Sequence, residues 1–336
     1  MIQEALHKLI EKTDLSKQES YDCIKEIMSG RASDALISAF LTGMRMKGET
    51  SLEIAGCALA MRELSTQIKT KHHKVIDTCG TGGDGLGTFN ISTASAIVAS
   101  AAGAIVAKHG NRAISSKCGS ADVLKALGVK IEIEKEKVES CLDEIGIAFL
   151  FAPLLHGSMK HAMPVRRQLG IRTVFNVLGP LTNPAGAKRQ VLGVFRRGLT
   201  ETLANVLLEL GTERAMVVHG SGGMDELSTI GETKISEIKN RNIETYTFSH
   251  ESVGITGTDL SAIAGGDAEE NARILTAVFD GAKGAPRDIV VLNAGAAIYI
   301  SGITSSIKDG VHVAQDAIEN GAARKKMKEL IEFTNS

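Results

Sequence analysis

The chain has 336 residues and a formal net charge of −1, long enough for one large domain or two unequal ones. A charge balance so near neutral argues against a broad nucleic-acid surface. Nine Phe, three Tyr and no Trp leave little material for base-stacking platforms.

The opening stretch MIQEALHKLIEK places apolar residues at 2, 5, 6, 9 and 10, the period of an amphipathic helix and not of a signal peptide. Helix continues through the first 70 residues. LSKQES offers a capping box, Ser16 with Glu19. Ser33 in RASDALISAFL and Ser51 in TSLEIAGCALAMREL stand as N-caps. Ala55, Gly56, Ala58 and Ala60 allow close helix contact, so this region reads as a helical subdomain or a dimer surface.

From Val75 the texture becomes alternating. Strand-like KVIDTC, AIVAKH, VKIEI and IAFLFA are separated by helical ISTASAIVASA, SADVLKAL and KEKVESCLDEI, with Gly103, Gly128 and Gly146 where helices end. QVLGVF, helix LTETLANVLLEL and AMVVHG follow, then a closing amphipathic helix from AAIYISG to MKELIEF. The fold class is α/β: an N-terminal helical domain plus a larger α/β domain with a central, largely parallel sheet flanked by helices. LLHGSMKHAMPVRRQLGIRTVFNVLGPLTNP interrupts the alternation as a helical excursion. The expected division is therefore 1–72 with 154–187 returning to it, and 73–153 with 188–336 as the α/β domain. The most apolar stretch, 94–107, is too short for a membrane span.

Five scattered cysteines, odd in number and never spaced C-x-x-C, fit a reduced, cytoplasmic chain. Cys79 lies in DTCGTGGDG and reads as a small residue filling a tight turn, ahead of a nucleophile. That stretch, between a short β-branched run and a helix, makes a cradle for anions, above all phosphate. It is neither a Walker loop, lacking Gly-Lys-Ser/Thr, nor a clean dinucleotide fingerprint.

Four further stretches carry chemistry. Asn90, Ser92 and Thr93 in NIST bring side-chain donors to a helix N-terminus. KHGNRAISSKCGSAD (108–122) supplies Lys108, Asn111, Arg112, Lys117 and several serines in one polar loop, suited to a polyanion. In HGSGGMDELS the adjacent Asp225 and Glu226 suit a hard cation, since Mg²⁺ takes one or two carboxylates plus ligand phosphates. Of Arg166 and Arg167, one could grip a carboxylate bidentately. No Ser-His-Asp or Cys-His set is evident.

DTCGTGGDG, FNIST, KHGNRAISSKCGSADVLKALG, PVRRQLGIRTVFNVLGPLTNP and MDELS, in this order, resemble the anthranilate phosphoribosyltransferases over nearly the whole chain. The resemblance implies transfer of the phosphoribosyl group of 5-phosphoribosyl 1-diphosphate to anthranilate, in tryptophan biosynthesis, by a homodimer joined through the helical domain. It implies that Gly80, Gly83, Asp84, Thr88, Asn90, Ile91, Ser92 and Thr93 hold the phosphoribosyl diphosphate. Lys108, His109, Gly110, Asn111, Arg112, Ala113, Ile114, Ser115, Ser116 and Ser120 would complete that pocket. Ser92, Asp225 and Glu226 would bind two Mg²⁺ ions per monomer, and Gly80, Asn111 and Arg166 would contact anthranilate. Lys108, Asp225 and Glu226 are the expected catalytic groups. A pyrimidine nucleoside phosphorylase-like enzyme and a non-catalytic nucleic-acid-binding relative of the same fold are the alternatives. The acidic pair argues against the first, and the absence of a basic excess against the second.

Overall fold

The computed structural model describes residues 1–113 and 117–336. Four helices open the chain: α1 (Ile2–Ile10), α2 (Lys17–Met28), α3 (Asp34–Lys47) and α4 (Ser51–Glu63). Ser16 and Glu19 form the expected capping box on α2, and Ser33 caps α3. On α4 the cap is Thr50, paired with Glu53, so Ser51 is the first helical residue and not the N-cap. Thr50 wins because only a residue three before an acidic side chain can exchange both hydrogen bonds with it.

The alternating region begins with β1 (Val75–Gly80), α5 (Ile91–Ala101), β2 (Ile105–Gly110), α6 (Ser120–Ala126), α7 (Lys135–Ile145) and β3 (Ile147–Phe151). VKIEI forms no strand: its burial alternates, but Lys130 hands its N–H to Thr334 Oγ1 near the C-terminus, and the stretch joins no sheet among the described residues. Period two reports a half-buried extended chain, whether or not a sheet edge is free to receive it.

The excursion contains three short helices, α8 (Ala152–Leu155), α9 (Met163–Leu169) and α10 (Phe175–Leu178). It packs on the N-terminal bundle: Ala162, Val165 and Phe175 share a core with Ile37, Phe40 and Leu41. After it come β4 (Arg189–Gly193), α11 (Leu199–Glu209), β5 (Arg214–Gly220), β6 (Thr233–Lys239) and β7 (Asn242–Phe248). The closing stretch is three helices where one was expected, α13 (Ala285–Ser301), α14 (Ile307–Glu319) and α15 (Ala322–Asn335), after α12 (Ala268–Phe279). Gly302 and Gly321, both at positive φ, supply the breaks.

The seven strands lie in one sheet in the order β3-β2-β1-β4-β5-β6-β7. The first five are mutually parallel, and β6 and β7 add an antiparallel hairpin. Side chains alternate between faces as the pleat requires. Met216 and Val218 join the core under α5 and α13, while Ala215 and Val217 face α11 and the bundle. Among the described residues, no helix is long and apolar enough to cross a membrane.

Candidate active site

In this strand order the chain leaves β1 in one direction toward β2 and returns on its other side at β4. Such a reversal opens a crevice beyond the carboxyl ends of the two strands. There Gly80 and Gly193 lie side by side in register. The loop after β5 folds onto them. A Cβ on Gly193 would stand 1.4 Å from the Asp225 carbonyl oxygen, and one on Gly80 would stand 2.3 Å from Asp225 Oδ2. Only glycine admits that approach, which brings the acidic pair and the glycine-rich loop together at the crevice floor.

The loop is pinned on both flanks. Gly82 donates its N–H to Asp225 Oδ2 at 2.8 Å. Arg172 bonds the Gly83 carbonyl and lies 4.1 Å from the Phe195 ring centre. On the other flank Gly265 donates to the Gly87 carbonyl at 2.8 Å and Phe89 to the Ile263 carbonyl at 3.3 Å, while Thr88 pairs with Ala264.

Charge is crowded here. Burial, then the neighbouring Asp84 carboxylate, pushes Asp225 up to about 7. Glu226 is pushed well above its ordinary range by burial and by Asp225, while Lys108 and the Ser92 main-chain N–H draw it down. Among the described residues no cluster of three His, Cys, Asp or Glu side chains is placed to enclose a metal. Two crowded carboxylates beside a serine hydroxyl fit a cation such as Mg²⁺, which completes its shell with water and ligand phosphate.

The expected site residues fall into three groups, two for the phosphoribosyl diphosphate and one for the carboxylate of anthranilate. Gly80, Gly83, Asp84, Thr88, Asn90, Ile91, Ser92 and Thr93 line the loop and the start of α5. Asn90 does not cap α5 with its side chain: Nδ2 donates to the Cys118 carbonyl at 3.2 Å, and Oδ1 accepts from Asn271 Nδ2 at 2.9 Å. Ile91 is buried and apolar, so it has only its main chain to offer. Thr93 Oγ1 is buried with no partner among the described residues.

The second group follows β2. Lys108 is 4% exposed, and its ammonium bonds the Thr78 carbonyl and, at 3.4 Å, Ser92 Oγ. It lies beneath the loop, not out in the polar loop that follows it. His109 is buried, with Nδ1 donating to the Gly179 carbonyl at 3.2 Å. Gly110 leaves room for Ser120, whose hydroxyl bonds the Asn111 carbonyl at 3.3 Å. Arg112 pairs with Glu132 at 2.7 Å on the surface. Ala113 and Gly119 both donate to Asp122 Oδ2 at 2.9 Å, closing the mouth of the loop. Ile114, Ser115 and Ser116 lie outside the described residues.

The third group is Arg166 on α9. It is half-buried, 5.1 Å from the Phe175 ring centre and 3.7 Å from Met163 Sδ. Burial lowers its guanidinium from the usual range, and no carboxylate pairs with it among the described ion pairs. Arg167 is exposed. Cys79 is buried, its thiol raised well above the ordinary value, and it accepts from Gln190 at 3.0 Å, which fits a turn filler.

Sequence reasoning missed the polar frame beneath. Asp77, fully buried in β1, accepts the His109 N–H at 3.1 Å and an Asn183 N–H at 2.8 Å. Asn183 also donates to the Ala107 carbonyl, tying two strands to the end of the excursion. An aspartate inside an apolar strand was the available signal. Asn271 and Arg172 had none, because their partners are distant in sequence.

A glycine-rich anion cradle, a helix N-terminus and a crowded carboxylate pair, gathered at a switch point, define a transferase for a phosphorylated substrate. The description "Glycosyl transferase family, a/b domain" matches residues 72–324, and "Glycosyl transferase family, helical bundle domain" matches 3–65. An anthranilate phosphoribosyltransferase of Acetivibrio thermocellus is 53% identical, over 100% of this chain and 97% of its own. The crystal structure of the Thermus thermophilus enzyme of that name has a TM-score of 0.94 at 42% identity, covering 99% of both chains. The Saccharomyces cerevisiae enzyme, solved with PRPP and Mg, has a TM-score of 0.91 at 29% identity, covering 99% of this chain and 98% of that one. The chain belongs to the anthranilate phosphoribosyltransferase family.

Proposed function

We propose that the protein transfers the phosphoribosyl group of 5-phosphoribosyl 1-diphosphate to the amine of anthranilate, giving N-(5-phosphoribosyl)anthranilate and diphosphate in tryptophan biosynthesis. The observation that carries this is the seating of Asp225 and Glu226 on Gly80 and Gly193, against a loop in which Gly82, Gly83, Gly85 and Gly87 are exposed. The C1′–oxygen bond to diphosphate breaks, a C1′–nitrogen bond forms, and the amine gives up a proton. The passing state is oxocarbenium-like, and the main difficulty is charge on the leaving group.

When bound, Mg²⁺ neutralises that diphosphate charge and fixes its orientation. Asp225, Glu226 and Ser92 are the residues to hold two such ions per monomer. Gly80, Gly83, Asp84, Thr88, Asn90, Ile91, Ser92 and Thr93 cradle the phosphoribosyl diphosphate, with His109 to Ala113 and Ser120 completing the pocket. Lys108 adds positive charge from below. Gly80, Asn111 and Arg166 receive anthranilate, the guanidinium taking its carboxylate. An aromatic amine is already neutral at pH 7, so no strong base is needed.

The organisation we propose is a helical domain, 1–72 with 154–187, beside an α/β domain, 73–153 with 188–336. Two chains join through the helical domain, in the cytoplasm. Exposed Met1, Ile10 and Met46 on that bundle support a joining surface. Light scattering should report about twice 35.5 kDa; a monomer at micromolar concentration overturns the dimer.

The deciding assay follows loss of anthranilate fluorescence with 5-phosphoribosyl 1-diphosphate and Mg²⁺. No consumption of anthranilate, together with phosphorolysis of a pyrimidine nucleoside, would transfer the protein to the phosphorylase class.

A further inference from the structure

The acidic pair is only as well oriented as the peptide that carries it. Met224 and Leu227, on either side, are fully buried, leaving Asp225 and Glu226 as the half-buried crest between two apolar pegs. Upstream, Gly220 donates its N–H to the Met224 carbonyl at 2.8 Å, which ties the crest to the end of β5. Downstream a side chain does what a strand would do. Asn293 Oδ1 accepts the Leu227 N–H at 2.9 Å, and Asn293 Nδ2 donates to the Leu227 carbonyl at 2.9 Å. Nδ2 also donates to the Ile289 carbonyl one turn back, at 2.9 Å.

That carboxamide is 3% exposed, on a stretch of α13 where Val290, Val291, Leu292, Ala294 and Ala296 are all buried. A primary amide in such surroundings is unfavourable unless both of its ends are bonded. Here both are, and to the two polar groups of a single residue, as a neighbouring strand would bond it. The opposite side of the same loop presses on Gly80 and Gly193. The acidic crest is therefore clamped between two glycines and one asparagine, and a fully bonded buried amide has a single rotamer.

We propose that Asn293 is a positioning residue for the metal-binding pair, setting the direction in which Asp225 and Glu226 present their oxygens. This rests on the reading of those carboxylates as Mg²⁺ ligands. The bland alternative is a polar group that merely satisfies a buried peptide. The two differ in what a substitution moves: stability alone, or stability and metal affinity.

The test is Mn²⁺ binding to the full-length protein, read from the EPR signal of the free ion at fixed 5-phosphoribosyl 1-diphosphate, with the protein-free titration subtracted. Asn293→Asp keeps the shape and the acceptor toward Leu227 N–H but turns an oxygen on the Leu227 carbonyl. Asn293→Ser removes both bonds and covers the case in which the aspartate variant does not fold. Val291→Ala, two residues earlier on the same helix, loses core packing but leaves the Asn293 bonds to Leu227 in place. Partners that orient metal ligands are typically worth about 10–100-fold in affinity, so Mn²⁺ should bind at least about tenfold more weakly in the Asn293 variants. Val291→Ala should melt earlier yet bind like the wild type. Asn293 variants within about twofold of wild type, or an equal loss in Val291→Ala, overturn the proposal. Asp225→Asn separates the two layers. Unchanged binding there overturns the metal role of the pair and Asn293's with it. Weakened binding there, with Asn293 variants unchanged, overturns Asn293's role alone.

Discussion

The two sides of the crevice are built in opposite ways. At the strand ends, the charged and amide side chains are engaged by neighbours. Gly82 is bonded to Asp225, Lys108 to Thr78 and Ser92, and Asn90 to Cys118 and Asn271. On the excursion, Arg166 has a ring face and a thioether beside it, and burial weakens its hold on its proton. A diphosphate with its cations needs donors and carboxylates that do not move as charge shifts, because reorganisation during the reaction raises the barrier. A second substrate bearing one carboxylate needs only a cation that has not already found an anion. The contrast separates a rigid wall, suited to the proposed diphosphate site, from a waiting wall, suited to the proposed carboxylate site.

The largest expected effect lies on the rigid wall. Replacing Asp225 by Asn together with Glu226 by Gln removes the charge and keeps the shape. Turnover should fall by about 10²–10³-fold, the range for removing electrostatic stabilisation from a reacting group. A rate equal to wild type at saturating Mg²⁺ would remove the acidic pair from the chemistry. Gly193→Ala attacks the same wall without touching a charge. Its methyl carbon would fall 1.4 Å from the Asp225 carbonyl, so the acidic crest must lift. Displacing reacting groups by about 1 Å can lower rates by about 10²-fold. Steady-state kinetics should show kcat falling by about that factor, with the anthranilate KM little changed. An unimpaired variant would mean the crest tolerates movement.

Much of the rigid wall was legible in the sequence because its signals are local. Glycines cluster where backbone approaches a ligand, and adjacent acids after a strand announce themselves. The parallel strands showed as short apolar runs, and Gly103, Gly128 and Gly146 do hold the positive φ expected of helix ends. What escaped was decided by distant partners. VKIEI alternates as a strand does, yet its main chain bonds a helix side chain from the far end of the sequence. The β6–β7 hairpin turns at Asn240 and Arg241, both at positive φ. Asn fits that turn and Arg does not advertise it, so the edge of the sheet went unseen. Lys108 looked like a loop cation because nothing nearby in sequence reveals that Thr78, thirty residues earlier, receives it.

The waiting wall should respond differently. Arg166→Ala should raise the anthranilate KM by about ten- to a hundredfold, the worth of a hydrogen bond to a charged group. The KM for 5-phosphoribosyl 1-diphosphate should hold. Arg167, one helical step round and exposed, should tolerate Ala with little change in either constant. If Arg166→Ala instead weakens the diphosphate substrate, the arginine belongs to the rigid wall, and the contrast collapses.

The smallest effect concerns the join between the walls. His109, from β2, donates to the Gly179 carbonyl, and His156, from the excursion, bonds the Thr182 main chain. Their ring centres are 5.1 Å apart. Burial, with His156's charge as the second cause, lowers His109 from 6.5 to about 3, and burial lowers His156 to about 4. Both imidazoles are therefore neutral in the folded protein at pH 7. A histidine whose pKa is lower folded than unfolded favours the unfolded chain once protons become available. Its stabilising contribution is whole above about pH 6.5 and is lost as pH falls toward the folded value. Each such group removes ~1.4 kcal/mol per pH unit in that window. His156→Gln keeps a hydrogen-bonding side chain but no titration, so comparing it with wild type cancels the protons taken up elsewhere. Urea unfolding at pH 8, 6.5 and 5.5 should show the wild type's advantage over the variant constant at the upper end and smaller by about 1.4 kcal/mol at pH 5.5. An advantage that grows on acidification would mean the folded protein holds an imidazolium at this join. The two walls would then meet through a charge, not through a pair of neutral rings.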